Sequence, residues 1–600
     1  MGLFDRATND GRIVLESPDE NITFFFWKGN ERLVFGGDVN GSESLFIGAT
    51  DLTGKKVQRL AESARETDMT AIHGDMGGLV SELREDPENI MMRGIFFGDI
   101  PMAGSMGANP ILMNETPEVQ RINLYNKSRS HLLSMHVEQE MGWGSVVSDH
   151  AGVLRLAERV QFKEFVWQLR NDNNGTFREI ARFPIHGYAE SWEPWTFSAD
   201  NKTLWMISRE EEDRGALYAY NTDTKQRGPA LFVPPEGEID DVITSYHGDK
   251  LLGVSYETDK EHFHWFDPTR AALQEKVERS FKGMTCRLTD SSADEQVYLV
   301  HVSSDRDPGS YYILDLKHPS LTPFKRIRPD IDPNKMQPMR PIAFAARDGL
   351  QLHGYLTLPA GGEGKQVPLI IHPHGGPFGI RDSWGFDPEV QFLASRGYAV
   401  LQVNYRGSGG YGRDFINKGR RQWGRAMQDD LTDAVKWAIA QGIADPKRVA
   451  IYGASYGGYA TLAGVTMTPE LYCCAVNYVG PSDLAITFKE RGGDAGLTSR
   501  DFDPHAEWVG EKSEFLAETS PINFVERIRA PILNAYGKND PRVDINHWYR
   551  LEEKLKKYNK TYSVIIEKNQ GHGFGNESAR IHFYKAMDDF FAKYLAPSAQ

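Results

Sequence analysis

Cysteine is nearly absent from this 600-residue chain: three stand in it, Cys286, Cys473 and Cys474. Three thiols, two of them adjacent, build no disulfide framework, and no C-x-x-C spacing offers a zinc ligand set. Long apolar runs are missing as well. None approaches the roughly 18–20 residues that a membrane helix needs, and the longest, such as Ala399–Val403, are strand-sized. Nor is there a basic surplus: 83 Asp and Glu outnumber 68 Lys and Arg, for a net charge of −15, which argues against a nucleic-acid partner. Met1–Arg6 has neither the apolar core nor the cleavage site of a signal peptide, and Arg6 stands where an acylation motif wants Ser or Thr. The chain is therefore expected to bind neither membrane nor nucleic acid and to be cytoplasmic.

What the chain does contain divides into two halves with different patterning, as its length demands. From about residue 20 to 335, short strands alternate with polar turns, as in Asn21–Trp27, Arg32–Phe35, Leu204–Ser208, Ala216–Tyr220, Val297–His301 and Tyr311–Asp315. The unit of turn, apolar strand, charged tip and aromatic-rich strand recurs every ~40–60 residues, the mark of a β-propeller. Five or six units can be counted; stacked β-sandwiches are the alternative. The pattern changes at Ile331–Pro341, with Pro333, Pro338 and Pro341. Beyond it, strands (Val367–His372, Ala399–Asn404, Val449–Gly453) alternate with helical stretches (Pro388–Arg396, Ala426–Gln441, Tyr459–Thr466). That alternation predicts a doubly wound, mostly parallel sheet with helices on both faces. The expected domains are a propeller over 1–335 and an α/β unit over 336–600.

The α/β unit carries the chemistry. Gly453-Ala454-Ser455-Tyr456-Gly457 follows a strand and precedes a helix, the setting in which G-x-S-x-G lifts a serine clear of an α/β-hydrolase sheet. Serine needs a base, and the base an orienting acid, in the order Ser, Asp or Glu, His along this fold. Asp540 lies in the loop after the strand around Ile532–Tyr536, with Asp544 as its nearest rival. His572, between Gly571 and Gly573, follows the strand Ser563–Glu567. An oxyanion needs preorganised donors; His374-Gly375-Gly376-Pro377 after the strand Leu369–His372 offers the Gly376 N–H, and Tyr456 N–H is the second. His372 and His374 form an H-x-H pair without a third ligand at metal spacing, so no metal or other cofactor is expected.

These residues resemble the prolyl oligopeptidase family of serine peptidases, and its acylaminoacyl-peptidase-like branch in particular. The likeness rests on His374–Pro377, Asn404-Tyr405-Arg406-Gly407-Ser408-Gly409-Gly410-Tyr411-Gly412, Gly453–Tyr459, Asp540-Pro541-Arg542-Val543 and Gly571-His572-Gly573-Phe574. It covers Pro341 to the C-terminus. The resemblance implies a seven-bladed propeller over the active site, short peptides as substrates, Ser455, Asp540 and His572 as the triad, Arg542 on a substrate backbone carbonyl, and self-association. It does not extend to the propeller glutamates that hold a free amine in dipeptidyl-peptidase relatives, since Glu210-Glu211-Glu212 reads as a solvated hairpin tip. The function expected is acyl transfer to Ser455 and hydrolysis of short peptides. An esterase on the same scaffold, or an inert hydrolase whose propeller binds a partner, are the rivals.

Overall fold

The computed structural model describes residues 1–5, 8, 10–16, 20–39, 45–62, 78–94, 118–134, 141–161, 164–184, 192–490, 508–510 and 513–595. Their N-terminal part forms six consecutive antiparallel sheets, preceded by a two-stranded hairpin of Gly2–Asp5 and Asp10–Ile13. Five of the sheets have four strands and the one beginning at Glu238 has three. The first strands of successive sheets touch one another (Gly78–Ser81 with Met141–Ser148, and Met141–Ser148 with Glu193–Phe197), so they run nearest the common axis. Alternation makes the strands: Val297–Ser303 buries every second residue, the period of a half-buried strand. Sheet faces then pack on one another. Leu156, Trp167 and Leu169 meet Phe197, Leu204, Met206 and Tyr218 in one such inter-sheet core.

Two expectations are corrected. Six sheets stand among the described residues where the resemblance implied seven blades; ahead of Glu20 the described residues form the short hairpin, whose Phe4 packs edge-on against Phe324 of the last sheet. The three-stranded sheet is followed by a helix, Pro268–Ser280, where only strands were expected. Asp267 caps it by accepting from Arg270 N–H, Pro268 opens it, and Arg270, Gln274 and Val277 form its buried stripe.

The last propeller strand ends at Arg326 and the catalytic sheet begins at Met339. That sheet has eight strands in the spatial order 339–345, 351–357, 399–404, 367–371, 444–454, 474–478, 532–537 and 562–567. The first two pairings are antiparallel and the rest parallel. Ala399–Asn404 is buried at every position and the helix Tyr456–Met467 at almost every one, as a sheet covered on both faces requires. Apolar cores lie on each side, one around Leu431, Val435, Leu462 and Trp548, the other around Leu393, Phe583 and Phe591.

Propeller loops grip the catalytic unit through backbone and charge. Asp213, at the tip of a hairpin, takes Arg413 N–H on its carbonyl (3.0 Å) and Asp414 N–H on its carboxylate (2.8 Å). Glu238 accepts Gly412 N–H at 2.7 Å and is paired with Arg209, which also pairs with Glu193. A second tip brings Thr258 and Asp259 carbonyls to Arg381 and the Tyr355 hydroxyl, and Glu257 to Ser383. The Glu210–Glu212 turn is thus not simply solvated: Glu210 takes hydrogen bonds from Trp192, Ser208 and Arg227, and the tip beyond it docks.

Arg209 and Glu238 are both deeply buried, whereas Glu193 is half exposed. Arg209→Met leaves the Glu238 carboxylate without its counter-ion and is expected to destabilise the protein by about 3 kcal/mol, the order seen for breaking a buried pair. Equilibrium denaturant unfolding reads this directly.

Candidate active site

The loop at the end of strand Ala444–Ala454 turns into the helix Tyr456–Met467 through Ser455, whose φ of 57° lies in the left-handed region. Few residues other than glycine accept this. The turn survives because its neighbours have no side chains to collide. A Cβ at Gly453 would sit 2.6 Å from the Gly457 carbonyl carbon, and one at Gly457 would sit 2.2 Å from Pro373 O. Ser455 N–H donates to Tyr478 O at 3.0 Å, tying the elbow to the adjacent parallel strand.

Three residues distant in sequence meet there. Ser455 Oγ lies 2.8 Å from His572 Nε2, and His572 Nδ1 lies 2.8 and 3.0 Å from the two oxygens of Asp540. The Asp540 side chain is fully buried, and its Oδ1 also accepts Arg542 and Val543 N–H at 2.8 and 2.9 Å. That fixes the carboxylate before the histidine arrives. The rival Asp544 instead accepts Asn546 N–H at the start of the next helix. The acid and histidine loops are joined to each other: Asn539 N–H donates to Gln570 O (3.0 Å), and Gln570 Oε1 accepts Asn576 N–H (2.9 Å). Gly537 is required at their crossing, since a Cβ would lie 2.2 Å from Gly571 O.

The His374–Pro377 loop abuts the serine. Gly375 is the closest part of it, a Cβ there coming 3.6 Å from Ser455 Cβ. The Gly375 carbonyl faces His374 Nδ1 at 2.7 Å, which turns the Gly376 N–H of the same planar peptide to the opposite side. Tyr456 N–H belongs to the first turn of its helix, where amides lack intrahelical acceptors. His374 is buried, its Nε2 meets Ser408 Oγ at 2.9 Å, and burial holds its pKa below the ordinary histidine value. His372 Nδ1 is spent on Tyr452 O at 2.8 Å. The H-x-H pair thus serves loop geometry, a role that its spacing did not reveal. Arg542 shares the Asp540 turn and its side chain is exposed.

Farther out, Asp240, Asp241, Glu257 and Glu261 of the propeller gather around Arg287 and Arg381. Desolvation, then the neighbouring Glu257, pushes Asp240 up to about 7. Glu257 reaches the loop that follows the Gly375–Gly376 turn through Ser383, at 2.8 Å.

Residues 384–598 match the family model described as "Prolyl oligopeptidase family". Among curated proteins, dipeptidyl aminopeptidase BIII of Pseudoxanthomonas mexicana is 31% identical over 500 residues, 80% of this chain and 70% of that protein. The acylamino-acid-releasing enzyme of Arabidopsis thaliana is 30% identical over 242 residues, 38% of this chain and 31% of that protein. Among solved structures, a puromycin-hydrolyzing peptidase of Mycobacterium tuberculosis superposes with a TM-score of 0.69 at 20% identity, covering 97% of this chain and 96% of the other. The acylaminoacyl peptidase of Pyrococcus horikoshii gives 0.64 at 18% identity, over 100% and 91%. At these identities, the superpositions speak for the fold alone.

Gly457→Ala is expected to lose the elbow, because the obstructing atom is a backbone carbonyl that cannot swing aside. Reactivity with a fluorophosphonate probe should disappear, and the midpoint of thermal unfolding should fall, in the same preparation.

Proposed function

The chain belongs to the prolyl oligopeptidase family of serine peptidases, and on that premise we propose that it hydrolyses short peptides through an acyl-enzyme on Ser455. The observation that carries the reading is the unbroken hydrogen-bond path from Ser455 Oγ through His572 to a buried Asp540. His572 Nε2 takes the serine proton as Oγ adds to the carbonyl carbon, and Asp540 holds the ring in the tautomer that leaves Nε2 free to accept. The oxyanion is received by Gly376 and Tyr456 N–H. The amine leaves with the histidine's proton, and water activated by the same nitrogen then cleaves the ester. No cofactor enters. Arg542, beside the acid and exposed, is suited to a substrate carbonyl. The propeller over 1–335 acts as the cap of the catalytic unit over 336–600 and limits substrates to short chains.

One observation favours a substrate with a free amine over an N-acylated one. Glu257 stands where the cap meets the catalytic unit, against Arg381 and Ser383, and offers an ammonium group a counter-charge from which a neutral acyl group gains nothing. The curated relative with the longer match is a dipeptidyl aminopeptidase. Ester hydrolysis is the alternative outcome, because the triad does not by itself separate amide from ester.

Chromogenic free-amine dipeptides, N-acylated amino acids, blocked longer peptides and simple esters form the test panel. Free-amine dipeptides should turn over fastest. Asp540→Asn should lower kcat by about 10,000-fold, the order known for this exchange in a Ser-His-Asp triad, and Ser455→Ala should abolish turnover. Cleavage of esters alone would replace peptidase with esterase, and serine-independent turnover would remove the reading altogether.

A further inference from the structure

We infer that Tyr478 is a positioning residue, whose hydroxyl fixes the histidine loop against the nucleophile elbow so that His572 is already aligned on Ser455 before substrate binds. The inference rests on the reading of Ser455 and His572 as nucleophile and base.

Tyr478 ends the strand Cys474–Tyr478, immediately beside the strand that carries the serine, and Ala454 is its register partner. It makes two connections. Its carbonyl accepts Ser455 N–H at 3.0 Å. Its phenolic oxygen accepts Phe574 N–H, two residues past His572. One residue therefore holds the backbone of the nucleophile at one end and that of the base's loop at the other. A Cβ built on Gly573 would lie 3.7 Å from the same hydroxyl, so the oxygen sits directly under the flexible glycine next to the histidine.

The ring is in turn held where it can do this. It stacks on Phe583 of the C-terminal helix at 4.5 Å and meets Phe574 edge-on at 5.0 Å. Val479, the next residue, has φ 44°, an outlier for a β-branched side chain. Its N–H is nevertheless satisfied by Ala535 O at 2.8 Å. Strain of this kind persists where the surroundings over-determine the backbone, and here it turns the chain away just after Tyr478 has made its contacts. Burial holds the phenol well above its ordinary pKa, so the hydroxyl stays neutral through the working pH range.

His572 is flanked by Gly571 and Gly573, and Gly573 has φ 112°. Asn539 and Gln570 tie down the near side of this loop. The Tyr478–Phe574 hydrogen bond ties down the far side. Removing it loosens the imidazole without touching Ser455, Asp540 or the oxyanion donors.

Tyr478→Phe deletes the acceptor and keeps the ring. It should lower kcat about fivefold, the worth of one neutral hydrogen bond, with KM within twofold of wild type. Phe591→Leu thins the same C-terminal core at a ring that packs on Tyr398 rather than on Tyr478, and serves as the stability control. It should lower the unfolding midpoint while leaving kcat and KM within twofold. In the wild type, the Phe574 amide should be protected in hydrogen exchange. Wild-type kcat in Tyr478→Phe, an unprotected Phe574 amide, or the kcat loss reproduced by Phe591→Leu would each overturn the inference. Turnover surviving in Ser455→Ala would bring down the underlying reading of the site as well; loss of turnover there with an unchanged Tyr478→Phe would bring down this inference alone.

Discussion

A serine held at φ 57° is costly, of the order of 1–3 kcal/mol, and everything around the site is arranged so that it has no other option. The helix after it leaves no room for a side chain at Gly453, and the Pro373–His374 backbone leaves none at Gly457. Tyr478 O takes its amide, and the helix that follows is locked between sheet and core. The strained turn is what points the hydroxyl out of the sheet and aligns the first amides of the helix behind it. Relaxing it would move the Ser455 hydroxyl and the Tyr456 amide together.

The cap and the catalytic unit share this logic of backbone held by charge. Glu238 and Asp213 accept the amides of Gly412 and Asp414, so the helix starting at Arg413 is capped by residues from another part of the chain. The Gly407–Tyr411 loop ahead of it is bonded to the Gly379–Ile380 turn, with Gly379 N–H on Gly407 O and Gly409 N–H on Ile380 O. Ser408 of the same loop meets His374. Contacts that begin in the propeller therefore continue, link by link, to the peptide that presents Gly376 N–H.

Much of this was legible in the sequence, and the part that was not has physical reasons. Ser455, Asp540 and His572 announced themselves because glycines and strand ends mark them locally, and the structure brings all three within hydrogen-bond distance. The parallel sheet was readable from its unbroken apolar strands. The helix Pro268–Ser280 carried a visible cap in Asp267-Pro268, a signal outweighed by the surrounding strand repeats. Blade number was not legible, because each sheet closes on its neighbours through scattered core residues rather than a repeated motif. Tyr478 had no local signal at all: its importance comes from sitting beside Ser455 across a strand pair and beside Phe574 across 96 residues of chain.

The order of the three residues along the chain has a consequence for how such an enzyme is made. Ser455 and His572 are 117 residues apart, and the histidine loop follows the last strand of the sheet. At ordinary translation speeds of about 5–20 residues per second, Ser455 is polymerised roughly 6 to 23 seconds before His572. A nascent chain that ends short of residue 572 therefore carries the sequence of the elbow without the imidazole that meets it.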